Sequence, residues 1–117
     1  MQIAEQIGEP EDRRRYPRVK ARIPVELRSN VATVPMRTAT DEISLCGCYI
    51  ESMFTMEIGT RLELVFSLAE TKITGVGIVA TKYPQVGNGI DFVNMTPEDR
   101  LKLHAFILEL DQKANHT

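Results

Sequence analysis

Apolar and polar residues alternate along most of this chain with a period of two, which is typical of half-buried β-strands. The first such segment follows Val19, where Ile23, Val25 and Leu27 alternate with proline and charged residues. Five further segments are rich in Val, Ile, Thr, Tyr and Phe, and they span 34–45, 47–54, 61–68, 71–83 and 86–94. Gly87-Asn88-Gly89 is predicted to form a tight turn or bulge. Short, evenly spaced strands favour an antiparallel barrel or sandwich.

The C-terminal part changes to a helical pattern. Thr96-Pro97-Glu98-Asp99 offers an N-cap, a proline at the first helical position and an acidic residue in capping-box position, so a helix is predicted from there to about Leu110. One apolar stripe follows the helical spacing and is expected to pack on the barrel. It consists of Leu103, Phe106, Ile107 and Leu110. A thinner stripe of Leu101, Ala105 and Leu108 either lies under the barrel rim or is free for self-association or a partner.

Length and composition indicate one folded domain. The chain has 117 residues, of which 43% are hydrophobic and 26% are charged, as expected for a single unit with its own core. Residues 1–12 show no apolar pattern that could anchor them, so a flexible tail is predicted before a domain over 13–117. No apolar run approaches the ~20 residues of a membrane span and the start does not resemble a signal peptide, so we expect a cytoplasmic protein without membrane insertion.

The two cysteines, Cys46 and Cys48, are predicted to be free thiols that are buried or half-buried. Their spacing does not favour a disulfide. Zinc needs about four ligands, and neither a Cys-x-x-Cys motif nor a histidine pair supplies the others. We therefore expect no metal and no cofactor.

Positive charge is concentrated near the start of a chain whose net charge is only −2. Six basic residues fall within ten positions: Arg13, Arg14, Arg15, Arg18, Lys20 and Arg22. Arginine donates in pairs to phosphate oxygens or to the O6 and N7 edge of guanine, so Arg14 and Arg18 are suited to hold a guanine nucleotide. Further along, Ser44 can donate its hydroxyl to phosphate, and Gly47 allows a ligand to approach the backbone.

The ordered set of these motifs resembles the PilZ family. Arg14-Arg15-Tyr16-Pro17-Arg18 fits its Arg-x-x-x-Arg loop, Ser44-Leu45-Cys46-Gly47 fits its Asp/Asn-x-Ser-x-x-Gly turn, and Gly89-Ile90-Asp91-Phe92 fits its closing strand. The resemblance implies an all-β fold with one C-terminal helix, a six-stranded antiparallel split barrel. Its parts would be an arginine loop at 13–18, the barrel at 19–95 and the helix at 96–111. In that family the two arginines engage guanine and phosphate of cyclic di-GMP, and the second motif holds the other face of the nucleotide.

The resemblance also implies a set of ligand-binding residues in this chain: Arg13, Arg14, Arg18, Glu42, Ser44 and Gly47. Arg13 corresponds to a basic position that, in PilZ-like proteins, is suited to an intercalated pair of ligands. Glu42 departs from the family's Asp or Asn, and its extra methylene shifts the carboxylate by an amount worth about 1–3 kcal/mol. Strand alternation favours Glu42 over Asp41 as the residue that reaches the site.

The function expected from this resemblance is that of a cyclic di-GMP receptor which orders its arginine loop on binding and signals to a protein partner, with a homodimer also open. The alternative is a PilZ-fold adaptor that acts through protein contacts without the nucleotide. A nucleic-acid binder is disfavoured because only Tyr16 interleaves with the arginines. An enzyme is disfavoured because no nucleophile has a plausible base, and His104 and His116 fall on the helix and tail.

Overall fold

The structure, a computed structural model, describes residues 17–29, 34–53 and 55–115, which form eight strands and one helix. The first four strands are β1 (Val19–Lys20), β2 (Pro24–Ser29), β3 (Met36–Ala39) and β4 (Glu42–Ile43). The other four are β5 (Gly47–Glu51), β6 (Arg61–Leu68), β7 (Thr71–Tyr83) and β8 (Gly87–Asn94). The helix α1 (Pro97–Asn115) follows, and it continues well past Leu110, where the sequence pattern predicted its end.

All strands belong to one antiparallel sheet in the order β1-β4-β5-β8-β7-β6-β2-β3. Because β1 leads directly into β2 and β3 into β4, one bent two-stranded ribbon contributes to both ends of this order. The sheet therefore curls around its core as a half-barrel. The predicted class, an antiparallel β fold with one C-terminal helix, is confirmed, although the described residues form eight strands rather than six.

The higher strand count arises at one corner where two predicted strands divide. Thr40 lies at this corner and is fully buried. Its hydroxyl donates to the carbonyl of Ala21 at 2.6 Å and accepts from the amide of Ile23 at 3.1 Å. Segments 19–29 and 34–45 pair with each other on both sides of this corner. Both bend here, because β2 also pairs with β6 whereas β4 also pairs with β5.

The core lies between the inner face of the curled sheet and one face of α1. Alternate residues of β6 point inward, and the facing side of α1 contributes Leu103 and Ile107, which are at most 1% exposed. Phe106 and Leu110 are partly buried against the same core, so the predicted packing face of the helix is confirmed. On the thinner stripe, Leu101 is 69% and Leu108 41% exposed, and its role in binding a partner stays a prediction.

The start of α1 is fixed by two side-chain contacts. Thr96 accepts the amide of Asp99 at 3.1 Å, as expected of an N-cap. Asp99 in turn accepts the amide of Thr74 on β7 at 3.0 Å, which ties the first turn to the sheet. Among the described residues, no helix is long and apolar enough to cross a membrane.

The turn between β7 and β8 differs from the prediction. Gly87, Asn88 and Gly89 lie within β8, so the turn predicted there is wrong. The chain reverses direction at 84–86, directly before these three residues. There Gln85 has a φ of 63° and supplies the left-handed conformation of the turn. A bulge does occur nearby, but in β7, where the pairing with β8 shifts between Val79 and Thr81.

Candidate functional site

An open groove of about 210 Å³ crosses the outer face of the half-barrel, from β4 over β5 and β8 to β7. Its wall on the β4 side contains Arg18, Glu42, Ser44, Cys46 and Gly47, and its wall on the β7 side contains Ala80, Thr81 and Tyr83. The floor is formed by residues of β5 and β8, including Tyr49, Gly89 and Asp91. On the described surface, the residues that the sequence predicts to bind a ligand lie along this groove.

Four of the six predicted ligand-binding residues line this groove: Arg18, Glu42, Ser44 and Gly47. The other two, Arg13 and Arg14, lie outside the described residues. Arg18 precedes β1, whose two residues pair with Glu42 and Ile43 of β4. This pairing brings the end of the arginine motif beside the second motif, although 24 positions separate Arg18 from Glu42 in the sequence.

The turn from Ser44 to Gly47 is held by hydrogen bonds at each of its positions. Ser44 donates its amide to the carbonyl of Gly47 at 2.8 Å, and its hydroxyl accepts the amide of Cys46 at 3.0 Å. The carbonyl of Cys46 accepts from Phe92 of β8, and that of Leu45 from the side chain of Arg100 of α1. The turn is thus preformed, and the hydroxyl proton of Ser44 can still be donated to a ligand.

Gly47 is required by the packing of the sheet itself. A Cβ atom at this position would collide with the carbonyl oxygen of Ile90 on β8. Besides allowing a ligand to approach the backbone, as predicted from the sequence, Gly47 lets β5 and β8 pair closely, which no residue with a side chain would permit here.

The two adjacent carboxylates of this region have different surroundings. Glu42 is half-buried and lines the groove. Asp41 instead accepts the amide of Glu51 at 2.7 Å and forms an ion pair with Arg22 at 3.3 Å. Its carboxylate is therefore occupied by structural contacts, which agrees with the strand register that points Glu42 toward the groove.

Several residues in the groove were not identified from the sequence, notably Tyr49, Thr81, Tyr83 and Asp91. Tyr49 shares the outward face of β5 with Gly47, two positions before it, so alternation alone could have indicated it. The residues of β7 and β8 could not be placed without the register that pairs Gly47 with Asp91 and Tyr83 with Gly87.

Partial burial, and after it the charge of Glu51, raises the pKa of Tyr49 above its usual value, so its phenol remains a donor.

The charges that line the described part of the groove do not by themselves suit a strongly anionic ligand. Arg18 is the basic residue of the lining, while Glu42 and Asp91 supply two carboxylates. Phosphate binding here needs the further arginines that precede Arg18 in the sequence. The carboxylates are suited to accept from the N–H groups of a base.

Comparison with known domain families decides the identity of this fold. The PilZ domain matches residues 12–109, which is most of the chain. The chain belongs to the PilZ family. PilZ domains form a family of cyclic di-GMP receptors that are binding modules and not catalysts.

Solved structures show the same fold at low sequence identity. The PilZ domain of YcgR from Escherichia coli with c-di-GMP superposes with a TM-score of 0.71 at 15% identity, covering 89% of this chain and 95% of that one. The PilZ domain of CeSA from a cellulose-synthesising bacterium gives a TM-score of 0.64 at 13% identity, with coverages of 81% and 98%.

A third similar structure is larger than this chain. The inhibitor of motility MotI (DgrA) from Bacillus subtilis superposes with a TM-score of 0.71 at 16% identity, covering 87% of this PilZ chain. The chain spans only about half of MotI, 51% of its length. None of the curated protein sequences compared with this chain matches it significantly.

Proposed function

We propose that this PilZ domain is a receptor that binds cyclic di-GMP in the groove and passes the signal to a protein partner. The proposal rests on one observation: Arg18, Glu42, Ser44 and Gly47, which come from both family motifs, line one groove. The solved YcgR domain contains c-di-GMP, and this chain shares its fold. Nothing in the proposal requires catalysis.

Each residue has a distinct role in this proposal. Arg14 and Arg18 engage phosphate and the guanine O6 and N7 edge through paired N–H donors. Glu42 accepts from the guanine N1 and N2 protons, and Ser44 donates its hydroxyl to phosphate. Gly47 has no side chain, so the nucleotide can approach the backbone of the turn.

The proposed switch is the arginine loop at 13–18, which precedes the barrel. Bound nucleotide would fix this loop across the groove, because two guanidinium groups would then share one dianion. The ordered loop, together with the ligand, would present a new surface beside β1. A protein partner that reads this surface would distinguish the bound receptor from the free one.

Isothermal titration calorimetry with cyclic di-GMP tests this function. We expect wild type to bind, and we expect Arg14→Ala and Arg18→Ala each to weaken binding at least tenfold, because each removes charge-assisted hydrogen bonds. Arg61→Ala is the matched control, since Arg61 is an exposed arginine at the start of β6, outside the groove lining. Wild-type affinity in both Arg14→Ala and Arg18→Ala would disprove the assignment of these residues.

A second function, a PilZ-fold adaptor that acts without the nucleotide, is supported by one observation, the glutamate at position 42 in place of the family's Asp or Asn. The same titration separates the two. A folded protein that produces no binding heat with cyclic di-GMP at micromolar concentrations would favour the adaptor.

A further inference from the structure

The outward face of the groove carries an aromatic pair that neither family motif includes. Tyr49 of β5 pairs with Gly89 of β8, and Tyr83 of β7 pairs with Gly87 of the same strand. In an antiparallel sheet, residues that pair directly point to the same face. The two tyrosines and the two glycines therefore share the outer surface, with β8 between the tyrosines.

The glycines of β8 make room for the ring of Tyr49. A Cβ atom on Gly87 would lie 2.6 Å from the hydroxyl oxygen of Tyr49 and 2.8 Å from its Cζ. The tyrosine ring thus extends from β5 across the backbone of β8, in the space that a side chain at position 87 would take. A ring supported in this way keeps its position before any ligand arrives.

The second ring stands beside the first and is open to solvent. The ring centroids of Tyr49 and Tyr83 are 6.3 Å apart, with an angle of 59° between their planes. Tyr83 is 54% exposed, and both side chains line the groove. The pair leaves aromatic surface facing the groove that the core does not use, and such surface is the usual platform for a nucleobase.

The position of Tyr83 in the sheet separates it from the arginine motif, whereas Tyr49 pairs directly with Glu42 of β4. Arg18 lies next to β1, and Tyr83 lies on β7, with β4, β5 and β8 between them. At ~4.8 Å per strand, these four steps span about 19 Å. One end of the groove therefore offers charge for phosphate and guanine edges, the other offers the exposed face of Tyr83, and Tyr49 lies between them.

We propose that Tyr49 and Tyr83 form a stacking platform for a guanine base of the bound cyclic di-GMP, with Tyr83 contributing most of the exposed face. The inference rests on the proposed function and adds two residues to its site. Cyclic di-GMP carries two guanines, so one base meets the arginine end while the other reaches the platform. Stacking needs the ring of Tyr83 and does not need its hydroxyl.

Calorimetry on three variants tests this platform. We expect Tyr83→Leu to bind cyclic di-GMP about tenfold more weakly than wild type, within the range typical of base stacking. Tyr83→Phe keeps the ring and should bind within about twofold of wild type. Val86→Ala is the control, because Val86 is equally exposed, at 54%, in the adjoining turn but is not part of the groove.

The melting temperature of each protein without ligand shows whether a substitution weakens binding by destabilising the fold. Because Tyr83 is largely exposed, Tyr83→Leu should unfold within a few degrees of wild type. If Arg18→Ala weakens binding while Tyr83→Leu does not, the platform is wrong and the proposed function stands. If Tyr83→Phe binds as weakly as Tyr83→Leu, the hydroxyl acts and stacking is wrong. If wild type shows no binding, both the receptor function and the platform are overturned.

Discussion

Two hydroxyl side chains hold the short strand that presents Glu42 to the groove. Thr40, just before β4, bonds to the backbone of Ala21 and Ile23, and Ser44, just after it, accepts the amide of Cys46. Both are buried, so the backbone between them has little freedom to shift. The reach of the side chain at position 42 is then set by its length, and one methylene changes where the carboxylate lies.

The Glu42 series tests this geometry. If the carboxylate accepts from guanine, Glu42→Asp should bind cyclic di-GMP at least as tightly as wild type, because it restores the shorter side chain of the family motif. Glu42→Ala should bind more weakly than either, since the base would lose its acceptor, a change worth about 1–3 kcal/mol. Calorimetry at one pH and salt concentration compares the three proteins.

The neighbouring carboxylate provides the control for this series. Asp41→Asn keeps an oxygen that can accept the amide of Glu51, and Asp41 does not line the groove, so binding should stay close to wild type. Equal affinity for wild type, Glu42→Asp and Glu42→Ala would show that Glu42 lies outside the site.

Neither cysteine forms a disulfide, as predicted, and the surroundings of the two thiols differ. Both lie along the groove, but Cys46 is half-buried while Cys48 is buried with the core. Burial raises the pKa of the Cys48 thiol from 9.0 to about 12. The folded protein therefore keeps this proton at pH values where the unfolded chain has lost it.

This difference gives stability a pH dependence of known sign. Well below pH 9 the thiol is protonated in both states, and stability does not change through this group. Between pH 9 and about 12 the unfolded chain binds fewer protons, so the free energy of unfolding falls by about 1.4 kcal/mol per pH unit. Urea unfolding at pH 8 and pH 10 should show a larger loss for wild type than for Cys48→Ala. An equal loss in both proteins would rule out Cys48 as the source.

At the scale of elements, the sequence pattern predicted where the strands lie but not where a strand is interrupted. The segments 61–68 and 71–83 coincide with β6 and β7, because alternation persists while one face is buried. The segment 34–45 divides into β3 and β4, since the chain bends at Thr40, whose hydroxyl bonds to the backbone of Ala21 and Ile23 at the corner. Alternation reports which face is buried, but it does not report which strand lies alongside.

The glycines of β8 show that a local pattern does not distinguish a turn from a strand. Gly87 and Gly89 flank Asn88 in a pattern that favours a turn, yet they lie in a strand. Their small size is needed because Tyr49 extends over Gly87 and Thr81 lies against Gly89. A glycine suits both a tight turn and a strand position beneath an aromatic ring. Only the pairing of β5, β8 and β7 shows which of the two applies here.

Helix α1 allows a matched test of its two faces. Leu103→Ala removes a side chain that is 0% exposed against the core and should lower the free energy of unfolding by about 2–5 kcal/mol. Leu101→Ala makes the same chemical change two residues earlier, at a position 69% exposed, and should cost less than about 0.5 kcal/mol. Urea denaturation of the two variants measures the difference. Similar losses would mean that the second stripe is covered in solution.

At the scale of the whole molecule, a chain with a net charge of −2 is proposed to bind a ligand that carries two phosphates. The described groove lining holds one guanidinium, Arg18, and two carboxylates, Glu42 and Asp91, so this lining does not itself attract an anion. The concentration of basic residues near the start indicated a positively charged site from the sequence alone, and the resemblance to the family then implied a cyclic dinucleotide as its ligand. The same charges bear on how many ligands the site accepts.

We predict two molecules of cyclic di-GMP per chain in wild type and one in Arg13→Leu. Two stacked ligands bring four phosphates and additional guanine faces to the groove. A third guanidinium at position 13 would offset part of this charge and stack on an exposed base. Arg13→Leu keeps Arg14 and Arg18 for the first ligand. The affinity for that first molecule should therefore change little, while the second molecule is lost. Calorimetric ratios near two and near one are the expected results, with Arg61→Ala retaining two. A ratio near one in wild type that Arg13→Leu leaves unchanged would show that Arg13 does not set the number of ligands.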